Sequence, residues 1–533
     1  MSTEQKFTLT EVAKHNTPTD CYIVIDSVVY DITKFLNAHP GGRTILLDYA
    51  GKDATEAFFD LHRKEVLMKY GPKLKRVGLI EGGKQHFPLD KELPIFDDIV
   101  PFAEHPAILN WKSPYMNASH MDFRAAVRKF YREHVAPTAE ADALAGTVPS
   151  LELYQKMGRG GILASRIGKH VMKFVPQLGI TLPGGLDPKK FDSFHEQIAH
   201  EETYFTHNSV SDGLGAGYVI GSAPVAYFGS NAQRMKFLPP VLLGDKRICL
   251  AVSEPQAGSD VAGLTTTAKL SEDGSHYVLN GVKKWITCGH FSDYFVTVAR
   301  TGGSGAKGLS MFLVDRAAGN LTTSPIKTSY GASAGTAWVF YEDVKVPKEN
   351  LLGKEGQGFM LTVANFNHER WYIICGSVNG ARGILKECYQ WAMQRKVFGK
   401  RLIDQPVIRF KLAQMSALVE SCQAWLDSIT YQMDVMSPME ANTQLAGPIA
   451  LLKYQCTRMM LFVHDQAAQI FGGRAITRTG MGRLIEDFNR SVKYAAILGG
   501  SEEIMADLAV RQIVGIAEGK VKKNPTLALQ AKL

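Results

Sequence analysis

The stretch HPGGRTILLDYAGKDATEAFFDLH, residues 39–62, begins and ends with a histidine and decides the fold of the first part of this chain. Its Pro-Gly-Gly run at 40–42 favours a tight turn, because glycine tolerates backbone angles and close approaches that other residues do not. Aromatic and β-branched residues from Tyr22 to Tyr30 precede it and predict strands. If the two histidines face a common pocket, the apolar residues that could line it are Phe35, Leu46, Phe58 and Val66.

Together with Asp31–Phe35 and Asp53–Phe59, this stretch resembles the cytochrome b5 family over most of residues 7–82. The resemblance implies a small α+β domain at residues 5–82 that binds haem b, with His39 and His62 as the two ligands of the iron. Iron held by two imidazoles has no open coordination position, so such a domain carries single electrons. Two alternatives stay open: two surface histidines in an unrelated small α/β domain, or a docking module of this fold without haem.

Composition indicates a globular protein of several domains. The 533 residues exceed the usual size of one core, while 45% hydrophobic and 21% charged residues are ordinary values. A net charge of +8 without a dense Lys/Arg run argues against nucleic acid and favours an anionic substrate. Seven scattered cysteines indicate a reducing compartment. No apolar run reaches the ~18 residues of a membrane span, so we expect a soluble protein.

The pattern along the chain changes four times after residue 82. Residues 83–114 contain recurring prolines without helical periodicity and predict a connector. Residues 115–247 favour helices, residues 248–355 favour short strands with an Asn280-Gly281 hairpin signal, and residues 356–518 favour helices again.

The last segment, residues 519–533, is predicted to be a tail that ends in Ala531-Lys532-Leu533. These three residues are close to the Ser-Lys-Leu signal for import into peroxisomes. We therefore expect a peroxisomal protein, with the cytoplasm and the mitochondrion as alternatives.

Five ordered motifs lie in the larger part of the chain: VSEPQAGSDV at 252–261, NGVKKWIT at 280–287, YEDVKVPKENLLGKEGQG at 341–358, QRKVFGK at 394–400 and QIFGG at 469–473. With them, residues 118–514 resemble the acyl-CoA dehydrogenases. The resemblance implies an N-terminal helical domain, a middle β-barrel-like domain and a C-terminal four-helix bundle. It also implies FAD, an acyl-CoA substrate and a homodimer or homotetramer.

The resemblance assigns cofactor and substrate contacts to particular residues. Trp285 would cover the flavin ring, and Arg395 and Phe398 would reach the flavin nucleotide of a neighbouring subunit; arginine geometry suits a pyrophosphate. Gln256 stands where glycine is commonest in the family. The full set of implied FAD contacts is Leu250, Val252, Ser253, Ser259, Trp285, Thr287, Arg395, Phe398, Gln405, Gln469, Gly472 and Gly473, and the implied substrate contacts are Ser259 and Arg370.

The reaction needs a carboxylate that removes the α-proton of the acyl group. The family offers two positions for this base, and at the commoner one this chain has Gly499. The other position, used in the long-chain and isovaleryl branches, is occupied by Glu369, which is our candidate base. Burial beside an apolar acyl chain should raise its pKa.

We therefore expect a flavin-dependent enzyme that converts an acyl-CoA to a trans-2-enoyl-CoA. The electron acceptor is open among the chain's own haem, oxygen and an electron-transfer protein. Two alternatives remain, an acyl-CoA oxidase that passes electrons to oxygen and a non-catalytic flavoprotein that binds DNA or protein.

Overall fold

The structure is a computed structural model that describes residues 5–62, 66–67, 70–71, 74–85, 100–205 and 207–523. Residues 86–99 of the predicted connector and the tripeptide Ala531–Leu533 lie outside the described residues. The chain divides into two compact units: residues 1–98, 387–412 and 470–483 form the first, and residues 99–386, 413–469 and 484–533 form the second.

The first unit is built on a five-stranded sheet with the strand order β1-β5-β4-β3-β2. Apolar side chains alternate along β3, so the sheet buries both faces: Cys21, Ile23 and Ile25 lie in one cluster and Val24 in another. The strands are β1 (Lys6–Phe7), β2 (Asn16–Thr17), β3 (Asp20–Ile25), β4 (Val28–Asp31) and β5 (Lys75–Ile80), and the helices are α1 (Leu9–Val12), α2 (Arg43–Asp48) and α3 (Thr55–Phe59).

The second unit opens with helices that share one large apolar core. A buried ion-pair network ties their first members together: Arg128 lies 2.9 Å from Glu104 and 2.7 Å from Glu202. The helices are α4 (Ala118–His134), α5 (Ala136–Ala145), α6 (Leu151–Arg159), α7 (Ile162–Ser165), α8 (Phe174–Gln177), α9 (Ser193–Glu201), α10 (Asn208–Gly213), α11 (Ala216–Phe228) and α12 (Asn231–Leu242).

An eight-stranded sheet follows in the second unit, with the order β11-β12-β8-β7-β9-β10-β13 and β6 paired to β9. The predicted turn at Asn280-Gly281 is wrong, because both residues lie inside the long strand β8, where Gly281 pairs with Tyr341. The strands are β6 (Ile248–Ala251), β7 (Thr267–Leu270), β8 (His276–Ile286), β9 (Tyr294–Arg300), β10 (Leu309–Asp315), β11 (Leu321–Pro325), β12 (Ala337–Pro347) and β13 (Leu351–Leu352).

Helices form most of the remaining described residues, as the 3.6-residue periodicity predicts. They are α13 (Gly358–Gln394), α14 (Pro406–Val435), α15 (Pro438–Gln444), α16 (Ala446–Phe471), α17 (Arg483–Ile497) and α18 (Glu502–Lys523), and the short hairpin β14 (Lys396–Val397) and β15 (Lys400–Arg401) separates α13 from α14. The predicted fold class is confirmed: an α+β domain is followed by helical, β and helical parts.

Candidate haem and active sites

The two histidines that frame residues 39–62 face each other across a gap in the first unit. Their ring centres are 6.0 Å apart and the rings are inclined by 49°. The Nδ1 atom of His39 lies 3.0 Å from the carbonyl oxygen of Gly42, and that of His62 lies 3.2 Å from the carbonyl oxygen of Phe58. Because these backbone acceptors fix a proton on Nδ1, both Nε2 atoms are left to bind a metal.

This geometry fits a haem iron held by two imidazoles. Two rings that bind one ion from opposite sides, with metal–nitrogen bonds of about 2 Å, have centres about 6 Å apart. Phe58 stacks on His62 at 4.6 Å, and burial lowers the pKa of His62, which favours the neutral imidazole that a metal needs. At Gly41 a Cβ atom would lie 2.8 Å from Cε1 of His39, so the glycine is required by the ring beside it.

In the second unit, the loop after β6 is held by a buried carboxylate. Glu254 is 2.8 Å from Nζ of Lys283, and it also accepts hydrogen bonds from the backbone N–H groups of Thr265 and Thr266. The Lys283 ammonium donates a further bond to the carbonyl oxygen of Val252. Gln256 fits this loop as well, because its side-chain amide donates to Glu254 and Thr265 and its backbone is not left-handed.

Trp285 is held in a conformation that suits an aromatic ligand. Its φ is +68°, which is costly for a bulky residue, and half of its surface is exposed. Two positions further, the buried Thr287 hydroxyl lies 2.9 Å from the hydroxyl of Tyr494 on α17. Such exposure and strain fit a residue that covers a flat ring system such as a flavin.

The remaining predicted FAD contacts of the second unit differ in exposure. Leu250 and Val252 are buried, Ser253 is half-buried, and Ser259 and Gln469 are exposed. The backbone carbonyl of Ser253 accepts a hydrogen bond from the N–H group of Lys284, which ties the loop to β8.

The first unit contains the other predicted contacts. Phe398 is 97% exposed with a φ of +51°, at the tip of the β14–β15 hairpin, and Gln405 is half-buried. Gly472 and Gly473 are exposed. Arg395 lies 3.9 Å from Asp60, and Gln394 donates a hydrogen bond of 3.2 Å to the carbonyl oxygen of His62.

The candidate base Glu369 lies on α13 and is 4% exposed. Its Oε2 atom is buried and accepts no hydrogen bond from the described residues. Burial raises its pKa to about 7, although Arg370, Lys453 and His368 each act in the opposite direction.

The two base positions of the family converge in this structure. A Cβ atom at Gly499 would lie 3.6 Å from Oε1 of Glu369 and 2.7 Å from Cδ1 of Ile373. The glycine has a φ of +68°, where a side chain is strained. The space that a side chain at 499 would need is therefore taken up by Glu369 and Ile373.

A narrow cavity continues from this point along α13. Tyr372, Ile373, Gly376 and Ser377 form one wall, and Leu498 stands at the end next to Gly499. The other lining residues come from α10, α16 and α17: Asn208, Asp212, Met460, Phe488, Ser491, Tyr494 and Ala495. The cavity has a volume of about 30 Å³, so an acyl chain can enter it only if the lining side chains move apart.

Sequence reasoning missed three residues that shape these sites: Glu254, Tyr494 and Lys453. Glu254 is part of the quoted SEPQAGSD motif, and a carboxylate there was a usable signal. Tyr494 and Lys453 have no local signal, because their partners are distant in sequence.

Comparison with known proteins agrees with both parts of the chain. Residues 8–81 match the cytochrome b5-like haem/steroid binding domain, residues 249–344 the acyl-CoA dehydrogenase middle domain, and residues 356–514 the acyl-CoA dehydrogenase C-terminal domain.

Relatives with similar sequences cover most of the chain. Acyl-CoA dehydrogenase apdG of Emericella nidulans is 38% identical over 80% of this chain and 97% of its own length. The mitochondrial long-chain specific acyl-CoA dehydrogenase of Rattus norvegicus is 30% identical over 75% of this chain and 87% of its own length. The crystal structure of an acyl-CoA dehydrogenase from Geobacillus kaustophilus has 26% identity and a TM-score of 0.67, and the match covers 75% of this chain and all of that one.

The chain belongs to the acyl-CoA dehydrogenase family. It is an FAD-dependent oxidoreductase joined to a cytochrome b5-like domain, and its cofactors are FAD and haem. No helix among the described residues is both long and apolar enough to cross a membrane.

Proposed function

We propose that this enzyme converts an acyl-CoA to a trans-2-enoyl-CoA with Glu369 as the catalytic base. The observation that carries the proposal is the convergence at Gly499, where a glycine leaves room for a buried carboxylate that has an unpaired oxygen among the described residues. A carboxyl group with a pKa of about 7 is a stronger base than an exposed one and is still about half ionised at neutral pH.

The chain's own residues hold the substrate and take its proton. The small cavity beside Ile373 and Tyr372 widens to receive the acyl chain, so that the carbon next to the thioester carbonyl meets Glu369, which accepts the α-proton at its carboxylate. When bound, FAD accepts the β-hydrogen as hydride and haem carries single electrons. Burial around Glu369 excludes water, which strengthens electrostatic interactions at the proton transfer.

The proposal includes the FAD contacts that the family resemblance implies. Trp285 supports these contacts because its ring is half exposed and its backbone is strained. Thr287 supports them because it lies just after the end of β8. Phe398 supports a contact between subunits, because its aromatic ring is 97% exposed and can pack against another subunit. A homodimer or homotetramer follows from that contact.

The proposal also includes transfer of the reducing equivalents to the cytochrome b5-like domain. Covalent attachment keeps this acceptor at a high effective concentration, which supports a relay within the assembly. The tail residues Ala531–Leu533 support delivery of the enzyme to peroxisomes.

The test is anaerobic stopped-flow mixing of the holoenzyme with a panel of acyl-CoA esters, following flavin bleaching and the reduced-haem α-band together. We expect flavin bleaching in the wild type and none on the same timescale in Glu369→Gln, because an amide cannot accept the α-proton. Glu503→Gln, an exposed carboxyl on α18, is the control with the same chemical change and should bleach normally.

Two results would contradict the proposal. Rapid bleaching in Glu369→Gln would remove Glu369 as the base. Bleached flavin with oxidised haem over many turnover times, in protein with full haem content, would show that the reduced flavin does not pass its electrons to the haem. Recovery of the flavin colour when the mixing is repeated in air would then identify oxygen as the acceptor.

A further inference from the structure

The turn that follows α17 is held by two buried cations. Arg370 donates from Nε to the carbonyl oxygen of Gly499 at 2.9 Å. Lys453 on α16 donates from Nζ to the carbonyl oxygens of Ala496, at 3.1 Å, and Gly500, at 2.7 Å. Both glycines have left-handed φ values, +68° and +114°, so the turn has a conformation that needs external support.

Lys453 is completely buried, and its two hydrogen bonds to described residues end on neutral carbonyls. A neutral amide could make such bonds, whereas an ammonium group loses much more hydration on burial. The end of a helix attracts a cation, which accounts for a part of this cost. A nearby carboxylate would account for more of it, and the acids that face Lys453 are Glu369 and Glu502.

Glu502 is already engaged by other groups. Its carboxylate accepts a hydrogen bond of 2.7 Å from the Thr457 hydroxyl and lies 3.5 Å from the Arg458 guanidinium. Glu369, in contrast, has a buried oxygen that accepts no hydrogen bond from the described residues. Lys453 interacts with both carboxylates, more strongly with Glu502, but Glu369 is the one whose buried oxygen has no hydrogen-bond donor among the described residues.

We propose that Lys453 is a positioning residue for the dehydrogenation: it ties the Gly499–Gly500 turn, which lies beside Glu369, to α16 and its charge favours the carboxylate form of Glu369. The inference rests on the proposed role of Glu369 as the base. Without the cation, the turn would lose two hydrogen bonds and the buried carboxyl would hold its proton more tightly.

The charged and titratable neighbours decide the sign of the effect. Glu369 faces Arg370 and His368 on its own helix and Lys453 on α16, and all three favour its ionised form. Lys453 faces Arg370, Glu502, Glu369 and Cys456, and burial lowers its pKa to about 8, so it is mostly charged at neutral pH. Removing this one cation should raise the pKa of Glu369.

The experiment compares the pH dependence of kcat for the wild-type holoenzyme with that of Lys453→Met. We expect the acidic side of the profile of kcat against pH, its acid limb, to shift to higher pH by about one unit. With Glu369 titrating one unit higher, turnover would fall roughly eightfold near pH 6.5 and hardly at all near pH 9. Lys453→Arg keeps the charge and should keep the acid limb of the wild type.

Arg458→Met is the matched control, because it removes one positive charge from the same helix at a half-exposed position whose ion-pair partner is Glu502. It should leave the acid limb in place. Lys453→Gln is the second test variant, since it preserves a donor to the carbonyls, and it should shift the limb as Lys453→Met does.

A readout independent of turnover separates this inference from the proposed function. Infrared difference spectra between each protein and its Glu369→Gln counterpart follow the ionisation of Glu369 directly. We expect its carboxylate bands to appear about one pH unit later in both Lys453 variants. Unshifted bands, or a loss of kcat that is equal at every pH, would overturn the inference and show that Lys453 only contributes to packing. Rapid turnover in Glu369→Gln would instead refute the role of Glu369 as the base.

Discussion

The buried candidate base should make the protein less stable at alkaline pH, and Glu369→Gln should reverse this while it stops turnover. The folded-state pKa of Glu369 is about 7, compared with an ordinary value of 4.5. The folded protein therefore holds this proton in a pH range where the unfolded chain has released it. Stability from this group is present below about pH 4.5 and is lost as the pH rises through 7.

The magnitude follows from the difference of about 2.5 pKa units, at about 1.4 kcal/mol for each unit. Because the side chain is only 4% exposed, solvent screening does not reduce this value much. Relative to glutamine, the ionised carboxylate should cost about 3 kcal/mol at pH 8.5 and less than about 1 kcal/mol at pH 5.

The assay is thermal unfolding of wild type and Glu369→Gln at both pH values, with FAD at the same saturating concentration because ligand binding shifts the midpoint. We expect the variant to melt at a higher temperature than the wild type at pH 8.5 and at nearly the same temperature at pH 5. Glu152→Gln, at an exposed position on α6, is the control and should show no such gain at pH 8.5. An equal difference at both pH values would refute the reasoning, since it would mean that Glu369 does not titrate in this range.

Three further outcomes are expected. His39→Ala or His62→Ala should abolish the low-spin haem spectrum and leave flavin content unchanged, and loss of both cofactors together would contradict separate binding sites. Adding Gly499→Glu to Glu369→Gln should not restore turnover, because the new side chain would be strained by its left-handed φ and would meet Ile373; kcat within tenfold of the wild type would show that the turn relaxes. Deletion of Ala531–Leu533 should leave a tagged enzyme in the cytosol, and continued peroxisomal import of the truncated chain alone would contradict the signal.

The strand prediction for residues 248–355 was correct in kind but wrong in one detail that has a physical explanation. Asn280-Gly281 is a common hairpin turn, yet β8 continues through it because both edges of this strand are paired, with β7 on one side and β12 on the other. A side chain at Gly281 would lie 2.6 Å from the hydroxyl oxygen of Thr266. Gly281 therefore allows the segment at Thr266 to approach β8 closely, and it does not form a turn.

The sequence alone predicts the fusion of a cytochrome b5-like part with an acyl-CoA dehydrogenase part, which the family matches confirm. It also proposes the pair His39 and His62 and the choice of Glu369 over Gly499, because each of these depends on residues that are near one another in the chain or on fixed spacings between motifs. The tertiary structure alone decided the surroundings of these residues. Lys453 meets Gly500 across 47 residues and Thr287 meets Tyr494 across 207, and no local pattern records such contacts. Burial is equally a property of the fold, and it sets the pKa of Glu369 because the free energy of a charge depends on how much water remains around it.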